Sequence, residues 1–387
     1  MATAQLGQRI QEIRKRRGLT QRELAALAGV SVSLVRKLEQ GEREDTRVET
    51  LRKLAEALHV PTSELITRAP SGPPRDTGLW GPLKDALMKK PNGSPEEPPS
   101  VAGVRQALDA VMPLFSGDRY SELATVLPPL VRDAEALGAE GRAVRGRLLH
   151  HIGWLFTQTR EFDAAEMALA RALDHASDRI DSAATVSTHA WLLIRQGRFD
   201  DTLQLAQHWA DEVEPRMSRA TAADLSAWGW LLIRISSAAI RDNQPGEADD
   251  AIRLARTAAV AMGAEYAPPG EFLRSFGALT VAMKRTEIAM IEDRPDRVVA
   301  MSRRIPLDDL RPTSNNRNRH LLDLAKAHVR LRHHSDAFDL LCRVRNDAPE
   351  WIANQRLAGD VLGEIIGRRR TLTSDMREMA DFLHLDL

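Results

Sequence analysis

Residues Thr20–Gly41 read TQRELAALAGVSVSLVRKLEQG. Thr20 stands three before Glu23. That is the spacing of a capping box, in which hydroxyl and carboxylate each accept from the other residue's backbone amide at a helix start. Leu24, Ala25 and Ala28 follow at helical spacing and form one apolar face. Gly29 breaks the pattern where a sharp turn requires positive φ or leaves no room for a side chain. Val30 is an apolar hinge residue. Ser31 caps the next helix, and Val35 and Leu38 point inward from it. The stretch therefore encodes two short helices joined by a glycine turn.

The pattern extends in both directions. Leu6, Ile10 and Ile13 recur at helical spacing, and Gly18 ends that helix. Thr46 and Glu49 repeat the capping-box spacing ahead of VETLRKLAEALHV, whose inner stripe is Leu51, Leu54, Ala55 and Leu58. PTSELI adds a last turn. Taken together, residues 6–66 resemble the Xre (Cro/C1-type) family of five-helix, helix-turn-helix DNA-binding domains.

The resemblance implies that the third helix enters the major groove. With Val35 and Leu38 inward, the 100° step leaves Ser33, Arg36, Lys37 and Gln40 outward and Val32 at the flank. Val32 suits a thymine methyl, and Ser33 suits either donor or acceptor edges. Arg36 and Lys37 suit guanine O6/N7 or a phosphate. Gln21 resembles the family's phosphate-contacting position. Ser31 at the helix start, with Arg43 and Arg47 in the following loop, completes the expected DNA contacts. That loop also carries Glu42, Glu44 and Asp45, which weaken its attraction for phosphate. A single head is then a modest binder. The expectation is a homodimer on a pseudo-palindromic operator, as is also the family's habit.

The formal net charge is +0, with 54 Lys+Arg against 54 Asp+Glu. Residues 1–70 hold 13 Lys+Arg against 9 Asp+Glu, so only this part has the sign suited to phosphate contact. The lone Cys342 excludes an internal disulfide framework and fits a reducing compartment. The first residues lack an apolar signal-peptide core, and no apolar run reaches the ~18 residues of a membrane span. A cytoplasmic protein with no membrane partner is expected.

Prolines and glycines crowd residues 69–100, which read as a linker. Within it, GLWGPLKDALMKK has the pattern of a short amphipathic helix, with Trp80, Leu83, Leu87 and Met88 on one side. Such a face wants a partner, either its own C-terminal domain or a second subunit.

From residue 101 a helix pair recurs. Aligning the residue that opens each second helix gives Leu123, Ala165, Thr202, Ala248, Val298 and Ala337. Three before these stand Tyr120, Phe162, Phe199, Pro245, Pro295 and His334. Twelve before, where helices must approach closely, stand Val111, Gly153, Ala190, Ser236, Thr286 and Ala325. The series resembles a degenerate tetratricopeptide-repeat array, with armadillo-like or other α-solenoids as the alternative. The expected architecture is thus all-α. It has a five-helix head at 1–68, a linker at 69–100 and a repeat domain for sensing and dimerisation at 101–387.

In such arrays the first helices of the pairs line the concave face. The alignment places Arg147, His150, Trp154, Gln158, Ser187, Trp191, Arg195, Trp230, Arg241 and Arg319 there. Ile233, Met283, Glu287, Leu322 and Lys326 fall in the same registers. Aromatic walls with a few convergent polar groups describe a ligand site, and Arg forks suit a carboxylate or phosphate. Asn316, near the start of the last pair, is of the type that bonds an extended peptide's backbone; an ordinary helix N-terminus is the alternative.

No catalytic or metal motif is found. His150–His151 and His333–His334 are adjacent pairs that diverge on a helix, and no phosphate-binding glycine loop or HExxH run appears. Neither an enzyme nor a cofactor-dependent protein is expected. A helix-turn-helix joined to such repeats resembles the RRNPP-type quorum-sensing regulators. That resemblance implies a transcription factor gated by a signalling peptide or small molecule in the groove. The alternatives are an adaptor whose repeats bind a partner protein, and a small anionic metabolite as ligand.

Overall fold

The computed structural model of the chain describes residues 2–42, 46, 48–65, 78–88, 98–268, 270–306, 314–369 and 371–385. Arg43, Arg47 and most of the expected linker lie outside them. The described elements are helices, save one isolated antiparallel bridge between Tyr266 and Phe276.

The first bundle holds α1 (Ala2–Arg16), α2 (Gln21–Leu27), α3 (Val32–Glu39), α4 (Val48–Leu58) and α5 (Thr62–Leu65). Its core is Ile10, Leu24, Val35, Leu38, Leu54, Leu58 and Leu65. The capping box forms: Glu23 N donates to Thr20 Oγ1 at 3.2 Å, and Thr20 N donates to Glu23 Oε2 at 2.7 Å. Gly29 turns the chain at φ +62°. Ser31 Oγ accepts from Leu34 N at 3.2 Å and starts α3. Gly7 lets α1 cross α3, since a Cβ there would overlap the Leu38 carbonyl. A buried ion pair ties three helices. Arg14 Nε and Nη2 donate to Glu39 at 2.6 and 2.8 Å, and Gln21 Nε2 donates to the same carboxylate at 2.8 Å. Burial alone would raise Glu39, but Arg14 and Gln21 outweigh it and hold the carboxyl below its ordinary range.

The second expected capping box does not form. Thr46 Oγ1 has no hydrogen-bond partner among the described residues. The Glu49 carboxylate instead pairs with Lys326 at 2.5 Å and Arg330 at 2.8 Å. Two cations outbid the local backbone amide for it.

Helix α6 (Gly81–Met88) is the amphipathic segment, and it docks on its own chain. Trp80 meets Phe156 and Tyr120 edge-on, with centroids 5.9 and 6.4 Å away. Leu83 and Leu87 are buried beside them. Arg171 Nη1 donates to the Leu87 carbonyl at 2.9 Å. Met88 departs from the expected face and is exposed.

Six antiparallel pairs follow. They are α7 (Val101–Ser116) with α8 (Tyr120–Ala136), α9 (Arg142–Gln158) with α10 (Phe162–Asp174), and α11 (Arg179–Gln196) with α12 (Phe199–Glu212). Next come α13 (Ala222–Arg241) with α14 (Pro245–Met262), α15 (Ala278–Ile291) with α16 (Pro295–Ser302), and α17 (Ser314–Arg330) with α18 (His334–Asp347). Every second helix begins three residues before its aligned anchor. Two residues earlier, each turn has a left-handed residue: Asp118, Arg160, Gly197, Asn243, Asp293 and Arg332, at φ 54–77°. This conformation folds the pair back on itself, and glycine supplies it in only one of the six. Gly153 faces Leu169 so closely that a Cβ would overlap it, as the small-residue position requires.

The array does not stay open. α19 (Pro349–Ala353), α20 (Arg356–Ile366) and α21 (Ser374–Phe382) complete the chain. One continuous core joins α6–α10 to α17–α21. Polar contacts seal the junction. Trp351 Nε1 donates to Gln158 Oε1 at 3.2 Å, Asn315 Nδ2 donates to Asp118 Oδ1 at 3.0 Å, and Ser121 N donates to Glu350 Oε2 at 2.7 Å.

Candidate ligand groove and DNA-reading surface

Closure turns the concave face into an open cavity of about 250 Å³. This lies just under the lower end of small-molecule sites, ~300–1,000 Å³. Trp154, Gln158, Ser187, Trp191, Arg195, Trp230, Arg241, Asn316 and Arg319 line it, as do Arg234, Lys284, Glu287, Phe272 and Trp351. Arg147 and His150 do not. They lie in a neighbouring cavity with Arg274, Asp181 and Glu271. The loop 266–276 separates the two: Phe272 packs edge-on against Trp154, with centroids 5.0 Å apart, and Arg147 Nη2 donates to the Gly270 carbonyl at 3.0 Å. Ile233, Met283 and Leu322 are also absent from the groove, being buried in helix packing.

The charges of the groove are uneven. Arg241 and Lys284 share the Glu287 carboxylate, the lysine at 2.9 Å. Burial would raise Glu287, but these cations hold it well below its ordinary range. Arg319 pairs with Asp323 at 3.2 Å. Arg234 lies over Trp230 and beside Trp191, 4.8 and 5.9 Å from the centroids, and its Nε donates to the Ser187 carbonyl at 2.9 Å. Arg195 stacks 5.6 Å from the Trp191 centroid. Burial pushes both guanidiniums down to about 9, for Arg195 with Arg160 and Arg319 adding to it.

Arg234 was legible in the sequence: it stands fourteen before its anchor Ala248, on the same helix face as Trp230, Ser237 and Arg241. Lys284 occupies the same register in the next pair.

Among the described residues one trio has metal-ligating spacing, His328, His333 and Asp336, with ligand atoms within 4.8 Å of one another. The adjacent His333–His334 pair gave no hint of it, because the turn between α17 and α18 brings His328 round to His333.

On the first bundle, Ser33, Arg36, Lys37 and Gln40 are exposed along α3, while Val35 and Leu38 are buried beneath them. Val32 is half-buried against the core and Ser31 is exposed at the cap. Among the described residues the Arg36 and Lys37 side chains make no ion pair or hydrogen bond, while their carbonyls accept from Gln40 N and Glu42 N. Gln21 is half-buried, its amide nitrogen committed to Glu39. The helix-turn-helix family profile matches residues 10–65.

The N-terminal bundle thus has the fold and the family match of a helix-turn-helix domain. Over 63 residues the chain is 38% identical to RghRB of Bacillus subtilis (strain 168), an uncharacterized HTH-type transcriptional regulator. It is 36% identical over 63 residues to the HTH-type transcriptional repressor RghR of the same organism. Each match covers 16% of this chain, and 45% and 47% of the two relatives, so the chain spans about half the length of the curated relatives it matches. No solved structure matches the chain.

The helix-turn-helix domain rests on the repeats through α4. Beside the Glu49 pairs, Arg52 Nη1 donates to Asn243 Oδ1 at 3.4 Å, and Asn243 Nδ2 donates to the Arg52 carbonyl at 3.3 Å. A cavity between the two is lined by Glu49, Arg52 and Lys53 on one side and by Arg241, Arg319 and Lys326 on the other. Arg241 and Arg319 therefore line both this cavity and the groove. No helix among the described residues is long and apolar enough to cross a membrane.

Proposed function

We propose that this chain is a cytoplasmic, homodimeric transcriptional regulator. In this reading residues 1–68 read a pseudo-palindromic operator, residues 69–100 link, and residues 101–387 bind a signal and pair the subunits. The observation that carries the reading is the polar face of α3. Its outward side chains are held by a well-packed underside and, among the described residues, those of Arg36 and Lys37 are left without internal partners. A helix displayed in this way suits the major groove. Ser33, Arg36, Lys37 and Gln40 contact base edges or phosphates, with Val32 on a thymine methyl. Gln21, Ser31, Arg43 and Arg47 complete the backbone contacts.

The signal, a peptide or small molecule, occupies the groove walled by Trp154, Trp191 and Trp230. The two ends of the array meet, which favours an enclosed ligand over a folded partner protein. Docking through α4 leaves α3 exposed. The ligand thus acts on where the heads are held, through Arg241 and Arg319, and not by covering the reading helix. Selection of bound sequences from random DNA tests the proposal. It expects two related half-sites at a fixed spacing. Recovery of no enriched sequence contradicts it.

A further inference from the structure

We propose that the groove takes an anionic ligand, whose carboxylate or phosphate oxygens are held by Arg195 and Arg234. The inference rests on the groove being the signal site and names the chemistry of the signal. Five cationic side chains and one carboxylate line the cavity. Internal pairing accounts for Arg241, Lys284 and Arg319, which meet Glu287 and Asp323. Among the described residues Arg195 and Arg234 form no ion pair, and Glu287, already shared by Arg241 and Lys284, only attracts Arg234 at longer range. Arg195 has no hydrogen-bond or ion-pair partner among the described residues, and Arg234 uses only its Nε, on Ser187. Their remaining N–H groups face a cavity that they themselves line.

A half-buried guanidinium without a directly paired carboxylate is costly, so a fold that carries two of them gains from an incoming anion. The depressed values of both groups, driven mainly by burial, express the same cost. Stacking on Trp191 and Trp230 holds the planar forks in place before the ligand arrives. The neighbouring cavity provides the contrast: there Arg147 meets Glu271 and Asp109, and Arg274 meets Asp181.

The test is thermal unfolding of the full chain at fixed ionic strength with inorganic pyrophosphate, benzoate or neutral benzamide. Arg195→Met and Arg234→Met are measured alongside. The expected result is a saturable rise in Tm with pyrophosphate or benzoate and none with benzamide. The responding anion distinguishes a phosphate from a carboxylate ligand. The rise needs at least tenfold more anion in either variant. In anion-free buffer the variants unfold at or above the wild-type temperature, because each loses an uncompensated charge. If neither anion raises the wild-type Tm, or if benzamide matches benzoate, the inference is overturned; this comparison stands even where a variant folds poorly. Operator selection is read independently, so failure here leaves the regulator reading standing with a neutral ligand. Failure there leaves anion binding intact.

Discussion

Glu49 of the helix-turn-helix domain accepts from Arg330 of the repeat domain at 2.8 Å, across 281 positions of sequence. Lys326 joins the same carboxylate, so one acidic side chain receives two cations from one helix of the repeats. The pair lies on α4 and fixes the head while leaving the outer face of α3 exposed.

Glu49→Gln is expected to loosen this docking by about 1 kcal/mol or less, the scale of a partly exposed pair. Hydrogen exchange in residues 48–58 should quicken accordingly, while the repeats keep their protection. Burial would raise the Glu49 carboxyl, but Lys326, Arg330 and Lys53 hold it below its ordinary 4.5. A depressed value gives stability that is complete above the free carboxyl's value and is lost as pH falls through the lowered one. Docking should therefore weaken below about pH 4.5 in the wild type and show no such step in Glu49→Gln.

Glu39→Ala should be far more damaging. It strands the buried Arg14 guanidinium and frees Gln21, a loss of about 3–5 kcal/mol. The double variant Arg14→Met, Glu39→Leu should recover most of it. Separate thermal transitions of single and double variants decide this; equal losses in both would show that the pair adds nothing beyond shape.

Gly229→Ala tests how closely the 266–276 loop is seated. A Cβ at 229 would overlap the ring of Phe276, which is fully buried against α13. The expected cost is about 1–3 kcal/mol in urea unfolding. Adding Phe276→Leu should return part of it. A neutral Gly229→Ala would mean that the loop yields freely.

What was legible in the sequence follows the range of each interaction. Thr20, Glu23, Gly29 and Ser31 act within three or four residues, and their roles were readable. Thr46 and Glu49 carry the same local pattern, but the partners of Glu49 lie 277 and 281 residues on, and no local rule weighs them. The repeat register was legible because the anchor and the positions three and twelve before it recur in kind; the left-handed residue five before the anchor was not, since its identity varies from Asp118 to Arg332. Closure was not. Whether Trp351 reaches Gln158 depends on small rotations summed over six pairs. The same long-range packing sent Arg147 and His150 to a second cavity, because the loop carrying Gly270 and Phe272 crosses between.

The most direct measurement is the affinity of the chain for its selected operator, as a function of salt, with and without Arg36→Ala and Lys37→Ala. The account predicts a loss of about 1–3 kcal/mol for a residue on a base edge, and a salt slope shallower by about one for a residue on a phosphate. Unfolding should be unchanged, since both side chains are exposed. Undiminished affinity and an unchanged salt slope in both variants would contradict the assignment of α3 as the reading helix.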